Sequence, residues 1–118
     1  MNATILFGHG SRDPIWRAPI DNVAQRMLEI DPQGMVRCAF LELTQPSLDV
    51  AATELIRLGV DTIRIVPMFL GVGRHAREDL PVLVDALRVQ FPAVNFNLRP
   101  SVGEEARVIE LLAAVAVS

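Results

Sequence analysis

The sequence predicts an α/β fold, a four-stranded parallel sheet with helices on both faces, in the order βαβαβαβα. Two observations carry this. Short, mostly apolar runs (Ala3 to Phe7, Met35 to Leu41, Ile63 to Leu70) alternate with segments whose apolar residues recur at helical spacing. Glycine, proline and Asx/Ser clusters separate the two kinds of segment. A strand apolar at nearly every position is buried on both faces, so helices cover both sides of the sheet.

Ala3 to Phe7 is the first strand. Pro14 closes the loop after it, and Trp16 to Ile30 forms a helix with Ile20, Val23, Ala24, Met27 and Leu28 on its apolar face. Asp31-Pro32-Gln33-Gly34 is a turn. Met35 to Leu41 is the second strand, with Arg37 its one charged residue. Thr44 to Ser47 opens a helix whose stripe is Leu48, Ala51, Ala52, Leu55, Ile56 and Leu58, with Gly59 as its stop. Asp61 to Leu70 is the third strand, and Gly71 to Glu78 a loop. Asp79 is the expected N-cap of the third helix, with Pro81 in its first turn and Leu83, Val84, Leu87 and Val89 on its apolar face. Val94 to Leu98 alternates apolar and polar, as a half-exposed edge strand does. Glu104 to Val117 is the last helix, and its run Leu111 to Val117 suits either core or interface.

The 118 residues suffice for a single domain, 1–118, and 51% hydrophobic content excludes disorder. The net charge is -3, lysine is absent, and the arginines are scattered, which argues against a nucleic-acid partner. The one cysteine, Cys38, lies in an apolar run and reads as a buried thiol in a reducing compartment. No run is long enough to span a membrane, and Met1 to Thr4 lacks the basic start of a signal peptide, so a soluble cytoplasmic protein is expected.

Right-handed crossovers bring all four strand-to-helix loops to one edge, where ligands of open α/β sheets bind. The chain's two histidines, His9 and His75, both fall there, each beside glycine. With Glu42 they form an imidazole–carboxylate set suited to a divalent transition metal or to proton transfer. The set lacks thiolates and a fourth ligand, so a metal held there sits in an open site. Glu42 could equally ion-pair with an arginine, and the histidines could be solvated loop residues. Gly8-His9-Gly10-Ser11 looks like a phosphate loop but lacks its lysine and spacing, and no G-x-S-x-G elbow makes Ser11 a nucleophile. Arg12, Arg74, Arg77 and Arg99 fall near the same edge and suit either surface charge balance or the binding of substrate carboxylates.

Gly8-His9-Gly10-Ser11-Arg12, Ala39-Phe40-Leu41-Glu42 with Pro46-Ser47-Leu48, Val66 to Leu70 with Gly73-Arg74-His75, and Glu78-Asp79-Leu80-Pro81 together resemble the short CbiX-type sirohydrochlorin chelatases. The resemblance covers nearly the whole chain. It implies a flavodoxin-like chelatase half-domain and an ATP-independent metallochelatase that inserts Co²⁺, or alternatively Fe²⁺ or Ni²⁺, into sirohydrochlorin in cobalamin or siroheme biosynthesis. The metal is then substrate and no cofactor is permanently bound. It also implies a homodimer whose sheets face each other across the cleft, because long members carry two such domains in tandem. His9 and His75 match the family's metal-binding histidines, His9 also matches its proton acceptor, and Glu42 falls on an acidic metal-site position. Gln45, Leu70, Gly71, Val72, Gly73 and Arg74 fall on tetrapyrrole-contacting positions, and Ser11 and Arg12 are expected to bind the substrate with them. Gln45 departs from some relatives, which are acidic there. A non-enzymatic carrier of tetrapyrrole or metal is the alternative expectation.

Overall fold

The computed structural model describes residues 1–118. The strands β1 (Asn2–Gly8), β2 (Val36–Phe40), β3 (Thr62–Pro67) and β4 (Asn95–Leu98) alternate with the helices α1 (Ala18–Ile30), α2 (Leu48–Arg57), α3 (Arg74–Gln90) and α4 (Ala106–Val117). A 3-10 turn, Val102–Glu104, precedes α4. The sheet has four strands in the order β2-β1-β3-β4 and every pairing is parallel, as expected. Register runs through β1, where Phe7 sits opposite Ala39 on one side and Pro67 on the other.

The main core lies on the α2/α3 face. Ile5, Phe7, Ala39, Ile63 and Ile65 point into it and meet Leu55, Leu80 and Val84. The other face has a smaller cluster, Leu6, Ile20 and Phe40, under α1. The chain passes from β2 across β1 to β3, so α1 covers one face and α2 and α3 the other. Strand order therefore reverses between β1 and β3, and a crevice opens beyond their carboxyl ends.

Several expectations are corrected. The third helix begins at Arg74 rather than Asp79, so His75 lies in its first turn and not in a loop. Gly73 is extended there, and its carbonyl accepts the Arg77 N–H at 3.0 Å to close the first turn. Pro81 is an interior residue of that helix. Its missing N–H leaves the Arg77 carbonyl to water, which is possible because Pro81 is on the exposed side. The buried stripe of α3 is Ala76, Leu80, Val84 and Leu87, and Val89 is 82% exposed. The third strand stops at Pro67, three residues before the predicted end at Leu70, since Pro67 has no N–H to continue the ladder. The last helix, α4, buries none of its residues: Leu111 is 65% and Val117 86% exposed.

Cys38 is half-buried, and burial pushes its thiol above the ordinary value, with the Asp21 carboxylate adding to the shift. No helix is long and apolar enough to cross a membrane.

Leu55 is fully buried and Val89 mostly exposed. Leu55→Ala is therefore expected to lower unfolding stability by about 2–5 kcal/mol in urea titration, and Val89→Ala by less than about 0.5 kcal/mol.

Candidate active site

The loops after β1 and β2 are joined by backbone before any functional side chain is considered. Leu41 N–H donates to Gly8 C=O at 3.0 Å, and Glu42 N–H to His9 C=O at 3.1 Å. Thr44 Oγ1 accepts from Ser11 N–H at 3.0 Å and donates to Ser11 C=O at 2.9 Å. The approach is so close that a Cβ on Gly10 would overlap the carbonyl oxygen of Glu42. Gly10 also has a φ of 104°, a backbone state L side chains disfavour. Leu43, the residue after Glu42, takes a φ of 63° in the same tight loop. Beneath this junction, Gly8 presses against Ile20, Trp16 and Phe40.

Arg17 secures the outer side. Its guanidinium lies 4.7 Å above the Phe40 ring, forms a two-point pair with Asp21, and donates to the Gln45 carbonyl at 3.3 Å. The Asp21 hydrogen bonds raise the Arg17 pKa further, so this charge is permanent. The loop returns to the sheet through Phe40 N–H donating to Pro46 C=O at 3.0 Å.

On this scaffold His9 Nε2 lies 3.0 Å from Glu42 Oε1. Both side chains are nearly half exposed, so the pair is open to a ligand. His75 Nε2 lies 3.2 Å from Asp79 Oδ2, one helical turn on. The site thus presents two imidazole–carboxylate pairs, one on the β1/β2 loops and one on the first turns of α3. In each, the carboxylate engages Nε2, leaving Nδ1 for a metal or a proton. Of the expected metal set, the structure brings His9 and Glu42 together. It places His75 with Asp79 instead, and no three His, Cys, Asp or Glu side chains gather into a metal-holding group.

Asp79 is the residue that sequence reasoning missed. The sequence reads it as a helix N-cap, whereas with α3 starting at Arg74 its i,i+4 spacing from His75 puts both on one shared face.

The expected tetrapyrrole-contacting residues divide between two cavities at this edge. Ser11, Arg12 and Gln45 line one of about 400 Å³, together with Leu43 and Thr44. Leu70, Gly71 and Val72 line another of about 420 Å³ with Arg77 and Arg99. Gly73 and Arg74 line neither, and Arg74 is ion-paired with Glu78. The loop that carries Leu70 is held from behind: Gly103 N–H donates to Phe69 C=O at 2.9 Å, and a Cβ on Gly103 would overlap the Leu70 carbonyl.

Gly10→Ala combines a strained φ with a backbone overlap, and is expected to cost about 1–3 kcal/mol or more in thermal unfolding. Gly71→Ala meets nothing within 4 Å and is expected to leave the melting temperature nearly unchanged.

Residues 3–117 match the CbiX family model. The chain is 36% identical over 84 residues to a sirohydrochlorin cobaltochelatase of Methanopyrus kandleri, a match covering 71% of this chain and 59% of that protein. It is 28% identical over 112 residues to one of Sulfolobus acidocaldarius, covering 95% of this chain and 87% of that protein. Among solved structures, a CbiX protein from Marinobacter aquaeolei VT8 superposes with a TM-score of 0.84 at 29% identity, over 99% of this chain and 95% of that one. The sirohydrochlorin chelatase SirB from Bacillus subtilis subspecies spizizenii, in complex with cobalt, shares the fold with a TM-score of 0.81 at 20% identity, over 98% of this chain and 50% of that one. With nearly every residue inside the family model, the chain belongs to the CbiX family.

Proposed function

We propose that this chain is an ATP-independent metallochelatase that inserts Co²⁺ into sirohydrochlorin, with residues 1–118 acting as one chelatase domain. The observation that carries the reading is the presence of two imidazole–carboxylate pairs, one on the β1/β2 loops and one on the first turns of α3, in a chain related to sirohydrochlorin cobaltochelatases. Insertion exchanges two pyrrole N–H protons for one M²⁺, so a catalyst must both deliver the ion and accept protons. A neutral imidazole does each through the same lone pair, and therefore does them in turn. His9 and His75 hold the ion together, and as it passes to the macrocycle nitrogens each imidazole is freed in turn and accepts one of the two pyrrole protons. Glu42 and Asp79 orient the rings and stabilise the imidazolium that forms.

An open nitrogen/oxygen site binds Co²⁺ more weakly than Ni²⁺ and more tightly than Fe²⁺, so supply selects among them. Ser11, Arg12, Gln45 and the segment Leu70 to Arg74 contact the tetrapyrrole in this reading. The product serves cobalamin or siroheme synthesis, in the cytoplasm.

We further infer a homodimer. Ile109, Leu111, Leu112, Val115 and Val117 leave on the order of 500 Å² of apolar surface uncovered along α4, near the upper end of what a monomer exposes. Doubled across a two-fold axis, this approaches the area of a stable interface.

Purified protein incubated anaerobically with sirohydrochlorin and Co²⁺ is expected to give many turnovers per chain in the visible spectrum. A rate no higher than the uncatalysed one, for Co²⁺, Fe²⁺ and Ni²⁺ alike, contradicts the proposal, and a change limited to one equivalent identifies a carrier. His75→Ala is expected to abolish insertion while leaving the circular dichroism unchanged, because it removes no core volume. Sedimentation is expected to show a dimer that Leu112→Glu converts to monomer.

A further inference from the structure

Eleven arginines are the chain's only basic side chains apart from its histidines. Six of them, Arg17, Arg26, Arg37, Arg74, Arg88 and Arg107, are ion-paired with carboxylates. Arg77 and Arg99 are not, although both lie within an acidic chain. Glu78, next to Arg77, is engaged by Arg74. Arg77 spends one N–H on the Val72 carbonyl at 3.5 Å, and its remaining donors are free. Arg99 is held by its backbone, donating to Ile65 C=O at 2.9 Å, and its guanidinium has no protein partner.

These two guanidiniums line one cavity of about 420 Å³ under the Leu70–Val72 segment, with apolar walls from Phe69, Leu80 and Leu98. Glu104 lines it too and pairs with neither arginine. The cavity holds two fixed positive charges and one negative, an unsatisfied fork of donors against an apolar wall. That is the setting in which a guanidinium binds a carboxylate in two-point fashion.

We propose that this cavity is a carboxylate subsite, in which Arg77 and Arg99 grip an acidic side arm of the tetrapyrrole. The proposal rests on the tetrapyrrole reading given above and deepens it. Leu70, Gly71 and Val72, the segment read above as contacting the tetrapyrrole, line the same cavity as Arg77 and Arg99, so a macrocycle lying against that segment has an acidic arm within reach of both arginines. Glu104 raises the cost of that arm by like-charge repulsion, and so tunes its affinity.

The test measures sirohydrochlorin binding by fluorescence without metal, and KM for sirohydrochlorin and for Co²⁺ with it. Arg77→Gln and Arg99→Gln are each expected to weaken tetrapyrrole binding about five- to twenty-fold, raising its KM while kcat and the KM for Co²⁺ stay within about two-fold. Glu104→Gln is expected to tighten tetrapyrrole binding. Arg57→Gln, at the end of α2, is the control and is expected to change nothing. Unchanged tetrapyrrole affinity in both arginine variants overturns the subsite, and so does an equal rise in the KM for Co²⁺. A wild-type chain that binds sirohydrochlorin without turning it over refutes the chelatase reading while the variants still decide the subsite. A wild-type chain that binds none refutes both.

Discussion

Gly10 has no side chain, and the carbonyl of Glu42 stands where a Cβ would be. The loops after β1 and β2 close to backbone distance at this point, and much of the site follows from that contact. It brings the His9 ring and the Glu42 carboxylate to 3.0 Å without burying either. The contact is possible because β1 and β2 are register-locked parallel neighbours whose ladder ends at Gly8 and Phe40. Thr44 then clasps both polar groups of Ser11, and Arg17 holds the far side of the loop from above Phe40. A pair anchored through backbone on both sides can engage and release a ligand without the loops rearranging, which is what the proposed hand-over of a metal requires.

The second pair is built differently. His75 and Asp79 share one face of a helix, and their spacing follows from the 3.6-residue turn alone. One pair thus depends on tertiary closure and the other on secondary structure. They follow the neighbouring strands β1 and β3, between which the strand order reverses. The charged rim divides in a similar way. Arg74 is neutralised by Glu78, whereas Arg77 and Arg99 keep their donors.

The strands were readable because continuous apolar runs such as Ala3 to Phe7 can be satisfied only between two covered faces. The edge character of β4 was readable from the alternation of Phe96 with Asn95 and Asn97. The start of α3 was not. Pro81 pulled the predicted start toward itself, because proline is most at home in a first turn, whereas its exposed position lets it sit mid-helix. That displacement hid the His75–Asp79 pair. The run Leu111 to Val117 left core and interface equally open, because composition records apolarity and not what covers it; α4 buries none of it within this chain. The Gly10 contact also escaped, since a glycine in a sequence does not say which carbonyl will approach it.

The central claim is that His9 and His75, from two separately built pairs, serve one ion. The most direct measurement is a crystal structure of the protein soaked with Co²⁺, with the metal located by anomalous scattering. The account predicts a single ion at the β1/β3 crevice bonded to an imidazole nitrogen of both His9 and His75, at about 2.0–2.2 Å. An ion held by only one of the two pairs, or bound away from both histidines, would contradict it.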